Sequence, residues 1–199
     1  MTTRLYYATL KQTDIIIEAR EKDDEKIKEA LDFDSMLHAF LYTQTGIPVL
    51  YSGDEIGQFN DYTYHQDPLK QEDSRYLHRG DLDWKAVEKR ADEFTYQGKL
   101  FQSIQKLTKL RAKYGVFNGN ADTWIVETYN DSVLGIGRYY NGEKLIALFN
   151  FSKNDEIAWI DEAEEYVDLI SGISKIAKEV KMPAQSFVWL YHNSITQYS

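Results

Sequence analysis

Apolar and polar positions follow different rhythms in different stretches of this chain. Met36, Leu37, Phe40 and Leu41 fall at the offsets that line one face of a helix. Asp34 or Ser35 stands where its cap belongs, and Gly46 where it should end. Upstream, residues 13–18 are rich in β-formers, and residues 21–29 are a mixed-charge run with the character of a solvated helical face. A second stripe, Leu100, Ile104, Leu107 and Leu110, predicts a helix over residues 94–114. Between the two helices lies Ile47-Pro48-Val49-Leu50-Tyr51, a short continuous apolar run. Such a run predicts a strand buried on both faces, as in a parallel sheet covered by helices, with Pro48 near its beginning. Residues 58–84 then form a long polar and aromatic loop, and loops of that length are usually functional or mobile.

After Gly119 the rhythm shortens to a period of two. Strands are expected at residues 124–126, 133–136, 138–140, 145–148, 157–160, 166–169, 179–182 and 187–191. Asn141-Gly142 sits between two of them and is a strong hairpin signal. Short strands at this spacing imply a small antiparallel sandwich. The expected class is α+β, with a boundary near residue 118: a helical and loop-rich part over 1–118, then an all-β domain over 119–199.

Composition narrows the function classes. Net charge is −9 over 199 residues and no Lys/Arg stripe appears, so nucleic acid and anionic membrane are not expected partners. There is no cysteine, hence no disulfide framework and no thiolate chemistry. Met1-Thr2-Thr3-Arg4 leads into tyrosines and charges without the apolar core of a signal peptide. No apolar run approaches the ~20 residues of a membrane span. A cytoplasmic protein without a cofactor is expected.

The wording of the β/α unit is specific. Gly46-Ile47-Pro48-Val49-Leu50-Tyr51-Ser52-Gly53-Asp54-Glu55-Ile56-Gly57 resembles the eighth barrel strand of the α-amylase superfamily, glycoside hydrolase family 13. Asn60-Asp61, Gln66-Asp67 and above all Asp73-Ser74-Arg75-Tyr76-Leu77-His78-Arg79 resemble its amylosucrase and sucrose hydrolase branch. Phe149-Asn150-Phe151-Ser152 and Phe187-Val188-Trp189-Leu190 are similar to that family's C-terminal β domain. The resemblance implies the end of a (β/α)8 barrel followed by a β-sandwich, taken from a retaining enzyme on α-glucosides or sucrose. Retaining chemistry needs two carboxyls about 5 Å apart across the scissile bond. In the family these lie on earlier strands, and no Gly-x-Arg-x-Asp element or His-Asp pair precedes Gly46 here. No catalytic residue is therefore assigned, and the isolated chain is expected to be inactive.

Arg75 is the one residue that the resemblance carries over as substrate-binding. A guanidinium can hold a carboxylate bidentately while donating to sugar hydroxyls. Asp73, His78 and Arg79 either support the same loop or form a local salt bridge. Asp54 and Glu55 are adjacent and point apart in extended chain, so they are expected to hold the turn through backbone hydrogen bonds. Gly53 and Gly57 are expected to permit its conformation. Tyr51, Tyr62, Tyr64, Tyr76 and Trp84 either stack on sugar rings or pack as rim aromatics. His65, Asp67 and His78 match no metal-ligand spacing, and His38 fits an ordinary packed or exposed helix position. Asn130-Asp131-Ser132 and Asn150-Phe151-Ser152 match the glycosylation sequon, a modification not expected without secretion.

Two readings follow. One is a piece of an α-glucoside-acting hydrolase or glucosyltransferase, active only in its full parent. The other is a non-catalytic β module that binds α-glucan or a partner. In an incomplete barrel residues 47–51 would leave an open strand edge, so the amino-terminal half is expected either to self-associate or to be poorly ordered beside a well-folded β domain.

Overall fold

The computed structural model of the protein describes residues 24–162 and 164–194. The β-rich residues 13–18 lie outside them. The first helix, α1, runs unbroken over Asp24–Thr43. This corrects the expected start at Asp34 or Ser35: no glycine or proline interrupts the stretch, and Lys28 pairs with Asp32 one turn on at 2.5 Å. Ala30, Leu31, Met36, Ala39 and Tyr42 are its buried face. A short helix α2 covers Trp84–Glu88 and a long one, α3, covers Tyr96–Lys113. Leu100, Ile104 and Leu107 are buried along α3, at the spacing the sequence predicts.

Residues 47–51 are a second correction. They form no strand, and Ile47 is 90% exposed, Val49 72% and Tyr51 41%. A parallel strand takes its hydrogen bonds from neighbours on both sides. None of the sheets among the described residues includes this segment. The apolar run is present, but its expected partners are not among those residues.

The described residues divide into two compact units. One holds those up to Asp34 together with Val49–Gln105, and the other holds Ser35–Pro48 and everything from Lys106. Secondary structure turns all-β at Asp122, close to residue 118, whereas the compact units cut the chain elsewhere.

The second unit carries eight strands: β1 (Asp122–Val126), β2 (Val133–Tyr140), β3 (Glu143–Asn150), β4 (Glu156–Trp159), β5 (Glu165–Asp168), β6 (Ser174–Ile176), β7 (Glu179–Met182) and β8 (Phe187–Asn193). An antiparallel sheet has the order β1-β2-β3-β8-β5-β6, and β4 pairs with β7 separately. Asn141 at φ 47° and Gly142 at φ 85° make the β2–β3 turn, where both central residues take positive φ. Beyond that turn Tyr140 pairs with Glu143 and Gly137 with Ile146. Ile146, Leu148, Val188 and Leu190 on the large sheet pack with Ala158, Val180 and Met182 on the small one. Phe149 meets Phe40 of α1 edge-on at 5.4 Å between centroids, and Phe117 lies 4.8 Å from Trp189.

Arg138, midway along β2, is fully buried. Its guanidinium donates from Nε to Val116 O at 2.9 Å, from Nη1 to Thr43 O at 2.8 Å and from Nη2 to Asn118 O at 2.7 Å. Arg111 donates to Tyr42 O and, at 2.8 Å, to Gly46 O. The last turn of α1 has no basic residue of its own. Two arginines from elsewhere therefore satisfy its terminal carbonyls and sit at the negative end of its dipole. Burial pushes the Arg138 pKa down to about 10, with Arg111 as a lesser cause, and the group stays charged at neutral pH.

Candidate functional site

The site built by residues 51–84 belongs to the first compact unit. It begins with a tight turn after Tyr51. Asp54 is buried and accepts from Tyr51 N at 3.3 Å, while Glu55 accepts from Gly53 N at 2.9 Å. Both carboxylates serve the backbone, as their adjacency implied. Gly53 at φ 102° and Gly57 at φ 62° flank the 3-10 turn Asp54–Ile56 in the left-handed region, which glycine enters without a Cβ penalty.

Three aspartates then organise the long loop by one device. Asp61 accepts from Thr63 N at 2.9 Å and opens the turn Tyr62–Gln66. Asp73 accepts from Arg75 N at 3.0 Å and opens Ser74–His78. Asp83 accepts from Lys85 N at 3.0 Å and Ala86 N at 3.2 Å and opens α2. Each satisfies backbone donors that a helix start leaves unpaired. Asp61 N donates to Leu77 O at 2.8 Å, joining the first two turns. Gln58 spans the loop, donating to Asp81 O and accepting from Asp83 N, both at 3.2 Å. The segment is polar but not loose.

Arg75 projects from the second turn with its side chain 66% exposed. Asp73 clasps it: Nε lies 2.8 and 3.0 Å from the two carboxylate oxygens, and Nη2 lies 2.6 Å from Oδ2. Those hydrogen bonds hold the Asp73 carboxyl down at about 2. A local salt bridge does form on this turn, but Asp73 makes it with Arg75, a partner that the sequence reading of Asp73, His78 and Arg79 did not name. His78 and Arg79 lie on the same turn or at its end, and Lys70 sits 5.6 Å over the Tyr76 ring.

The aromatic candidates separate. Tyr64 is buried and carries the His65 ring at 4.0 Å, so it is a packing residue. Tyr62 at 46% and Trp84 at 71% exposure remain open to a ligand. Among the described residues no group of three His, Asp or Glu side chains could hold a metal. His38 is packed within α1. Asn150 is fully buried, its amide donating to Asn154 O, Met182 O and Pro183 O, and Asn130 donates to Glu156 and Ile157 O. Both sequon asparagines are structural groups in this fold. The capping roles of Asp61 and Asp83 were not foreseen, although an aspartate in a loop commonly accepts from the backbone N–H two residues on, the Asx turn.

No family model matches the chain. In sequence it is 25% identical over 187 residues to the glucosylglycerate phosphorylase of Escherichia coli K12, covering 93% of this chain and 32% of that protein. In structure it superposes on AmyP solved in complex with maltose, with a TM-score of 0.63 at 18% identity over 83% of this chain and 35% of that one. An Anoxybacillus α-amylase matches with a TM-score of 0.61 at 18% identity, over 83% of this chain and 32% of that one. The chain therefore shares its fold with part of an α-amylase and of AmyP. The chain spans about a third of the length of these proteins. None of the helices among the described residues is long and apolar enough to cross a membrane.

Proposed function

We propose that this chain is the carboxy-terminal part of a retaining enzyme that transfers a glucosyl group from an α-glucoside, and that Arg75 lines the glucosyl pocket. The observation that carries the reading is the Asp-Ser-Arg turn. Its guanidinium is exposed, yet its direction is set in advance by the clasp on Asp73 and by the cap beneath it. A group held in this way loses little freedom when it meets sugar hydroxyls. The acceptor separates two versions of the proposal. An amylosucrase-like enzyme passes the glucosyl group to a glucan or to water, and a phosphorylase passes it to phosphate. Similarity over 93% of the chain to a phosphorylase of a small glucoside supports the second.

The proposal gives this chain no catalytic carboxylate. Asp54 and Glu55 both accept from backbone N–H groups, and neither is offered as nucleophile or acid/base. The chain alone therefore binds and positions without turning over. The test uses the full-length protein that contains this chain, supplied with sucrose, maltose or α-glucosylglycerate, each with and without inorganic phosphate. Consumption of at least one donor is expected, with glucose 1-phosphate appearing when phosphate is present. The purified 199-residue chain should give none. Turnover by that chain, or three untouched donors with the full-length protein, would contradict the proposal.

A further inference from the structure

The dipeptide Asn-Gly occurs twice in the chain, at Asn118-Gly119 and at Asn141-Gly142. In it the backbone nitrogen of the glycine, unshielded by a Cβ, can attack the side-chain amide of the asparagine. The two copies are equivalent in sequence, and the fold treats them differently. At Asn118 both reacting amides are prepared. The Asn118 carbonyl oxygen accepts from the charged Arg138, at 2.7 Å from Nη2. A cation bonded to a peptide oxygen stabilises the anion left when that peptide's nitrogen gives up its proton, so the Gly119 N–H becomes more acidic. This N–H meets no acceptor among the described residues, and the space about Gly119 is open. Asn118 Oδ1 accepts from Asn120 N at 2.9 Å, which polarises the side-chain carbonyl toward attack at Cγ. Asn118 is exposed, so base and water reach it.

Asn141 is exposed as well, but its backbone stands in the way. It sits at φ 47° in the turn between the paired residues Tyr140 and Glu143. In the left-handed region, where ψ is about +47°, the next nitrogen lies across the Cα–C bond from Cβ, out of reach of Cγ. Asn118, with ψ 144°, has Gly119 N to the side of Cβ rather than opposite it. The hairpin is also held from outside: Gly142 O accepts from Ser194 N at 3.1 Å and from Ser194 Oγ at 3.0 Å.

We infer that Asn118 is a site of spontaneous modification, at which the side-chain amide is lost through a succinimide and the main chain is rebuilt as isoaspartate. Gly119 N gives its proton to solvent base and bonds to Cγ, and the Cγ–Nδ2 bond breaks to release ammonia. Water then adds to the ring at the former main-chain carbonyl, the one Arg138 polarises, and breaks its bond to Gly119 N, which takes back a proton. That carbonyl becomes a carboxylate facing Arg138, so the buried cation gains an anionic partner. One water enters and one ammonia leaves.

The test ages the purified 199-residue chain in mildly alkaline buffer, native and in urea. Peptide mapping by mass spectrometry follows both asparagines, and an isoaspartyl methyltransferase reports the product. In the native chain, ammonia loss at Asn118 should outpace that at Asn141 at least fivefold, and in urea the two rates should agree within twofold. The share of isoaspartate over aspartate at position 118 should be higher in the native chain than in urea. Gly119→Ala, made where space is open, should slow the reaction at Asn118 at least fivefold. Native rates that are equal or led by Asn141, a preference for Asn118 that persists unchanged in urea, or a Gly119→Ala chain that reacts as fast as the parent overturns the inference. An isoaspartate share no higher in the native chain overturns the part given to Arg138.

Discussion

Replacing Arg138 with methionine removes the guanidinium while keeping an unbranched side chain at a site with no exposure. Three hydrogen bonds to a charged donor, each worth roughly 1.5–3 kcal/mol net, are lost. Returning the cation to water offsets several kcal/mol of this. What decides the balance is the acceptors left behind. Val116 and Thr43 are fully buried, so their carbonyls lose a donor that water cannot replace, at about 1–3 kcal/mol each. Asn118 is exposed and its carbonyl can take water instead. The net loss is about 2–5 kcal/mol, which lowers the melting temperature of a chain this size by roughly 10 °C. Near-ultraviolet circular dichroism follows it directly, because Trp189 and Phe117 pack in the same layer. Arg138→Lys should fall between the two, since an ammonium cannot fork to three carbonyls. If Arg138→Met melts within 2 °C of the parent, or Arg138→Lys restores full stability, the lock on the end of α1 is not what the geometry indicates.

Further outcomes concern the loop, the hairpin and association. The Asp73 carboxyl should titrate near 2. Its pKa is depressed on folding, so its contribution is present above the ordinary value of about 3.9 and is lost as pH falls through about 2. Carboxylate chemical shifts check this, and an ordinary midpoint would remove the clasp on Arg75. Gly142→Ala should cost about 1 kcal/mol, because φ 85° suits glycine, while substitution at the open Gly119 should cost far less; chemical denaturation distinguishes them. The purified chain should self-associate through residues 47–51, where Ile47 and Val49 are exposed, and Ile47→Lys with Val49→Lys should return it to a monomer in light scattering. A parent chain that stays monomeric at high concentration would contradict that.

The β domain was legible because its signals are local. A period of two and an Asn-Gly turn place β2 and β3 without reference to the rest of the fold. β6, only Ser174–Ile176, was missed: three residues cannot establish a period. Arg138 was missed for a different reason. Its acceptors come from α1, from the turn before β1 and from Asn118, and nothing in Arg138-Tyr139-Tyr140 signals a buried cation. The apolar run at 47–51 was read correctly as hydrophobic and wrongly as a paired strand, because pairing depends on neighbours that the run itself does not specify. In the loop, Arg75 was singled out through the resemblance of its motif. That Asp73 holds it, with Asp61 and Asp83 capping turns on either side, required coordinates to establish.

The most direct test of the central claim is steady-state kinetics of the full-length protein with Arg75→Ala and Arg75→Lys, on whichever glucosyl donor it consumes. If Arg75 lines the glucosyl pocket, kcat/KM falls by about 10²-fold or more in Arg75→Ala, equivalent to about 3 kcal/mol. Arg75→Lys recovers only part of it, because an ammonium cannot reproduce the bidentate fork. Thermal stability should be close to the parent's in both, given the exposure of the side chain. An Arg75→Ala protein that is folded and retains kcat/KM within twofold of the parent would contradict the claim.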